Sequence, residues 1–158
     1  MYFRTLQTSI MILVSNNKGE KMKKFIFVSL VPLSMFANDF NTPMQEYIDL
    51  LKVEAKNIDP AFKDFDSKRG EEIFTSKHIG KKGKEISCTS CHNLDLTQAG
   101  KNVFTNKRIK PLSPTANKER LTSVKEVKKW LRRNFRDVYL KEGNAIQKGD
   151  VLYYINSK

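Results

Sequence analysis

Both cysteines of the chain, and one of its two histidines, fall within the five residues Cys88-Thr89-Ser90-Cys91-His92. No other feature restricts the fold as strongly. Cys-x-x-Cys-His is the attachment pattern of c-type haem. The two thiols bond to the vinyl groups of a porphyrin, and the following residue donates an imidazole nitrogen to the iron. Other uses of these residues fit less well. A thioredoxin-like dithiol needs a preceding strand, and no strand pattern stands before Cys88. A zinc site would have only Cys88, Cys91, His92 and His78 as soft ligands, and adjacent Cys91 and His92 suit its usual ligand spacing badly. A disulfide between Cys88 and Cys91 closes too small a loop to stabilise much. The expected cofactor is one covalent haem c on Cys88 and Cys91, with His92 as proximal iron ligand.

The rest of the chain reads as helices around that group. The first helix covers "TPMQEYIDLLKVEAKN", with Thr42 as cap, Pro43 in the first turn, and Met44, Tyr47, Ile48, Leu51 and Ala55 on one face. A second runs from about Ser67 to His78, with Gly70 and Phe74 sharing a face and Gly80 as its stop. A third, about Val124 to Phe135, opens on a Ser123/Glu126 capping box. A fourth, about Ala145 to Asn156, follows Asn144 and buries Val151, Leu152 and Ile155. Between Asn93 and Leu121 the chain is irregular, punctuated by Pro111 and Pro114; so long an irregular stretch in a compact domain usually wraps something functional.

The start of the chain reads as a leader. "MKKFIFVSLVPLSMFA", residues 22–37, has two lysines, a short apolar run and a small residue at its end, the pattern of a secretory signal peptide and too short for a membrane span. Residues 1–21 are unusual in front of such a segment, which points to Met22 as the true start. The expected organisation is a leader over 1–37, an N-terminal helix and linker over 38–66, and the haem domain over 67–158, with export to the periplasm and no integral membrane segment. The formal net charge is +12; without residues 1–37 the chain has 24 basic and 16 acidic residues. That balance favours acidic partners or anionic surfaces. No zinc-finger, helix-turn-helix or aromatic RNA-binding pattern accompanies the charge, so nucleic acid is not an expected partner.

The second axial ligand is the open question. An electron-transfer cytochrome c usually takes it from a methionine well downstream of the motif, but no methionine follows Met44 and no histidine follows His92. Four candidates stand: Met44, on the core face of the first helix; His78, ten residues before Cys88; a lysine, none singled out by position; and Asn134. Val124, Val127, Leu131 and Asn134 are spaced as one helical face. A buried amide there needs a partner, unless Asn134 merely ends the helix and bonds to backbone.

Four segments, "RGEEIFTSKH", "SCTSCHNLD", "AGKNVFTNKRIKPLSPTANKERLT" and "VKKWLRRN", resemble the monohaem cytochromes c of the sphaeroides haem protein type, over about Ser67 to the C-terminus. The haem motif is shared by all c-type cytochromes; the run from "PLSPTANKERLT" through "KKWLRRN" is far more specific. The resemblance implies an all-α fold of the class I cytochrome c kind, here with an extra N-terminal helix. It implies that Asn134 is the distal ligand in the ferric state and leaves on reduction, opening the iron to oxygen, nitric oxide or similar diatomics. It implies a dihaem or membrane-bound cytochrome as electron donor, and a crossing of Gly70 and Phe74 with the last helix near Tyr154. Members often carry a disulfide that begins just after the distal asparagine. Phe135 and Gly143 stand at those places here, which implies a more mobile loop. The alternatives are a plain electron shuttle with a permanently six-coordinate haem, or a gas sensor or scavenger. No acid–base pair of an enzyme is legible.

Overall fold

The computed structural model describes residues 40–158; the readings of a leader over 1–37 and of Met22 as start lie outside them. Helix α1 (Thr42–Ile58) is capped by Asn41 rather than by Thr42: the Asn41 side chain accepts the Met44 N–H at 3.0 Å. Thr42 and Pro43 then form the first turn, where proline's missing N–H costs nothing. Met44, Tyr47, Ile48, Leu51 and Ala55 make the buried stripe, as expected. Helix α2 (Ser67–Thr75) ends before His78. Ser76 turns extended, and His78–Ile79 (β1) pairs antiparallel with Glu85–Ile86 (β2) around a tight turn at Lys81–Gly83. The ladder and the turn, closed by Gly80 N–H to the Lys84 carbonyl at 2.9 Å, satisfy backbone groups that a longer helix would have used. After the single turn of α3 (Thr89–His92), a second two-residue ladder joins Gly100–Lys101 (β3) to Arg108–Ile109 (β4). Apart from these short ladders the described fold is helical, so the all-α class holds.

Helix α4 (Val124–Tyr139) runs four residues beyond its expected end. Phe135 and Val138 are buried, which gives those extra residues a core to face, and Leu140 stops the helix in a left-handed conformation (φ 58°). The capping box is half made. Ser123 Oγ accepts the Glu126 N–H at 3.4 Å, while the Glu126 carboxylate accepts from Trp130 Nε1 at 3.1 Å and from Lys129. Helix α5 (Ala145–Asn156) has the full reciprocal box between Asn144 and Gln147.

The frame is the crossing of α2 on α5. A Cβ added at Gly70 would lie 2.0 Å from the Asp150 carbonyl oxygen and 2.8 Å from Tyr154 Cβ, so only glycine lets the two backbones meet. Phe74 then reaches Tyr154, with ring centroids 5.3 Å apart, as the resemblance implied. Asp150, 1% exposed, ties the same crossing: it accepts from Arg69 Nε and Nη2 at 2.9 Å each and from the Asp66 N–H at 2.7 Å. A buried carboxylate held by a guanidinium and a backbone N–H avoids the cost of an unpaired buried charge. Helix α1 shares the same core, where Met44, Ile48 and Leu51 join Leu152, Tyr154 and Ile155.

The loop after α4 packs back on its own helix. The Phe135 ring lies directly on Gly143, where a Cβ would come within 2.7 Å of it, and Arg136 pairs with Glu142 across the same turn. Packing and an ion pair close this loop. Among the described residues, no helix is long and apolar enough to cross a membrane.

Candidate functional site

The Cys-x-x-Cys-His segment is held as one helical turn. The His92 N–H bonds to the Cys88 carbonyl at 3.1 Å, while Ser87 N–H donates to Ser90 Oγ at 3.0 Å at its start. Asn93 ends it with positive φ (65°) and reaches the Ala99 carbonyl at 2.9 Å through its side chain. One turn puts Cys88, Cys91 and His92 close together on a single support. Val103 N–H approaches Cys91 Sγ at 3.5 Å, and the Phe74 ring lies 6.0 Å from the His92 ring. Burial pushes the Cys88 thiol up to about 12, with the neighbouring Cys91 adding to the effect. Burial, and then the charge of Arg120, hold His92 at about 4, so its imidazole is neutral at pH 7. His92 Nδ1 is buried with no hydrogen-bond partner among the described residues. A neutral imidazole that the protein leaves unsatisfied suits the role of ligand, which requires a free nitrogen lone pair.

Two cavities, about 310 and about 780 Å³, adjoin this turn, and His92, Leu112, Arg120, Trp130 and Asn134 line both. Asn134 stands inside α4, five residues before its end, so it does not terminate the helix. Among the described residues its amide has no hydrogen-bond partner. Of its expected helical face, Val127 and Leu131 share the smaller cavity with it, while Val124 packs against the core instead. Of the other candidates for the distal position, lysines stand in the walls, Lys110 in both cavities and Lys81 and Lys107 in the larger one, while Met44 and His78 lie elsewhere. Met44 is fully buried in the core and lines neither cavity. His78 bonds to Ser76 Oγ at 3.1 Å, with its ring 4.3 Å from that of Tyr139, and also lines neither. Two residues of the wall were not foreseen. Trp130 is 46% exposed at the rim, flanked by Lys129 and by Arg133 at 5.1 and 5.4 Å from its ring. Arg120 is half-buried in the irregular segment; polar in type and far from any helical period, it gave no signal beyond its place in "PLSPTANKERLT".

That segment is tied down at several points. The Leu112 and Ser113 N–H groups both reach the Leu96 carbonyl at 2.9 Å, and the Ser113 hydroxyl bonds to the Lys158 carbonyl. The irregular stretch therefore wraps the cavities with a defined course, as its length suggested.

The family described as "Domain of unknown function (DUF1924)" matches residues 60–155, more than half of the chain. The cytochrome c-type protein SHP of Cereibacter sphaeroides is 39% identical over 90 residues, which cover 57% of this chain and 69% of that protein. The chain belongs to both: it is an SHP-type cytochrome c. Cytochrome c'' of Methylophilus methylotrophus is 30% identical over 86 residues, covering 54% of this chain and 60% of that protein. Among solved structures, oxidized SHP, described as an oxygen-binding cytochrome c, superposes with a TM-score of 0.63 at 32% identity, covering 73% of this chain and 96% of the other. Oxidized cytochrome c'' gives 0.64 at 25% identity, covering 72% and 93%. A covalently bound haem c follows for an SHP-type cytochrome, and the residues here fit one. Two thiols and a neutral, unsatisfied imidazole stand on one helical turn, and the cavities beside them are walled by Phe74, Leu112, Val127 and Leu131.

Proposed function

We propose that this SHP-type cytochrome is an exported, monohaem electron carrier whose distal residue yields to small diatomic molecules. Cys88 and Cys91 carry the haem, His92 is the proximal ligand and Asn134 the distal one. When bound, the group supplies a one-electron couple and an iron able to accept a sixth ligand. The observation that carries the reading is the Asn134 amide, set in mid-helix, lining both cavities that His92 lines, and without a protein partner. The amide is half-buried and, among the described residues, free of protein partners, so its oxygen is available to a metal ion in the cavity. An amide oxygen is a hard, neutral, weak donor. It suits ferric iron and competes poorly at the softer ferrous ion. Asn134 would therefore hold ferric iron and yield once the iron is reduced, and Val127 and Leu131 make the cavity around it apolar, which favours small neutral ligands such as oxygen or nitric oxide.

The test is substitution with spectroscopy. Asn134→Ala leaves haem attachment intact, changes the ferric spectrum, and leaves carbon monoxide binding to the ferrous protein within about twofold of the unmutated value, an estimate that treats the lost amide as absent from the ferrous site. Asn134→Met slows ligand binding and raises the reduction potential toward that of a His/Met cytochrome. His78→Ala does neither. A ferric spectrum that follows His78 and not Asn134, or a reduced protein indifferent to carbon monoxide, supports the permanently six-coordinate shuttle instead.

The proposed electron donor is a dihaem or membrane-bound cytochrome that meets the basic face of α4. Lys128, Lys129, Arg132 and Arg133 stand on that helix, and Arg133 lines the larger cavity. Such attraction is screened over roughly 10 Å at 0.1 M salt. Electron transfer from an acidic donor cytochrome therefore slows several-fold as ionic strength rises to the physiological range, measured by stopped-flow reduction. A rate independent of salt refutes electrostatic docking.

A further inference from the structure

Arg120 lines both cavities, and among the described residues its guanidinium is held by neutral acceptors rather than by an ion pair. Its Nε donates to the Pro111 carbonyl at 2.8 Å, and its Nη2 donates to the Lys110 carbonyl at 2.8 Å. These are neutral acceptors. No carboxylate bonds to the guanidinium: Glu119, the next residue in the chain, pairs with Lys110 at 3.3 Å. The two carbonyls occupy the Nε–Nη2 edge of the fork. Of the five N–H donors of an arginine, those of Nη1 and the second of Nη2 remain, and they form the adjacent edge, the geometry that takes a carboxylate through two parallel bonds. Arg120 lines both cavities together with His92 and Asn134. Other cations lie nearby but are placed differently. Lys81, Lys110 and Arg136 have acidic partners, Arg133 stacks on Trp130, and Lys107 and Arg108 line only the larger cavity.

A half-enclosed guanidinium held rigidly by two carbonyls, with an open fork in the cofactor cavity, is built to hold an anion. We propose that Arg120 binds a carboxylate of the prosthetic group and fixes its orientation. The inference rests on the assignment of haem to Cys88, Cys91 and His92. A second consequence follows from the same bonds. The side that faces the carboxylate and the side that holds residues 110 and 111 belong to one planar group, so Arg120 ties the irregular segment, with Leu112 and Asn117 in the cavity wall, to the edge of the cofactor. Loss of the carboxylate bond leaves negative charge uncompensated beside the iron, which disfavours the electron-rich ferrous form.

The test uses the full-length, haem-loaded protein and two variants, Arg120→Gln and Arg120→Lys. Covalent haem is first quantified on denatured protein; its absence from the unmutated chain overturns the haem assignment, which is a different failure from that of Arg120. With haem present, the propionate bending band of the resonance Raman spectrum reports the carboxylate directly. Arg120→Gln shifts that band and lowers the midpoint potential. Arg120→Lys, which keeps the charge but loses the fork, shifts the band and retains most of the potential. A role confined to clamping residues 110 and 111 lowers the melting temperature and leaves the band in place; that result overturns the proposal. Replacing phosphate or chloride buffer with a weakly coordinating one leaves the unmutated spectrum unchanged. A band or potential that follows the buffer anion means that the open edge holds an ion from solution, and this also overturns it.

Discussion

With Cys88 and Cys91 both replaced by alanine, no haem migrates with the denatured polypeptide, and the domain loses its cooperative thermal transition. The two effects have separate causes. Thioether bonds survive unfolding, so haem stays with the unmutated chain on a denaturing gel and does not extract into acid acetone. The single variants retain one bond and stain more weakly. Loss of fold follows from packing. Without the group, the apolar wall of Phe74, Leu112, Val127 and Leu131 loses the surface it packs on, and apolar burial is worth about 25 cal/mol per Å². A domain held together by roughly 5–15 kcal/mol has little margin for that loss. Haem that extracts freely from the unmutated protein sinks this expectation, and so does a double variant that melts like the parent.

The second large effect lies far from the motif. Gly70→Ala is expected to destabilise the domain by about 3 kcal/mol or more, because overpacking against backbone has no flexible side chain to relax. The added methyl would sit 2.0 Å from the Asp150 carbonyl oxygen, so α2 must lift from α5. That movement also strains the bonds from Arg69 and from the Asp66 N–H to the buried Asp150 carboxylate. Glu72→Ala, at an exposed position of the same helix, is the control, with a change within about 0.5 kcal/mol. Thermal or denaturant unfolding of the haem-loaded proteins measures both. An unchanged midpoint for Gly70→Ala contradicts the tight crossing.

Much of this was legible in the residues. Apolar periodicity placed α1 and α5, and the buried residues Met44, Val151 and Ile155 lie where that spacing put them. What periodicity could not resolve were the ends. Thr42 and Asn41 are both good caps, and the choice between them depends on which side chain reaches the Met44 N–H. His78 fits the last turn of a helix by type, but backbone pairing with Ile86 competes for it. Helix α4 continues because Phe135 and Val138 find a core, a long-range fact with no local marker. The motif residues needed no long-range information, since Cys88, Cys91 and His92 share one turn. The cavity wall did: Arg120 and Trp130 come from separate segments, and only folding brings them beside His92.

The seating of Phe135 on Gly143 has a bearing on how the protein is made. A chain with four cysteines can join its sulfurs in several wrong ways before a porphyrin is fastened to the right two, and each mispairing must be undone by a reductant. This chain has two. Because an aromatic ring does the closing next to Asn134, every thiol in the molecule is reserved for the same partner. Maturation then requires no sorting among sulfurs, and a reducing environment that would open a disulfide leaves the turn beside Asn134 shut.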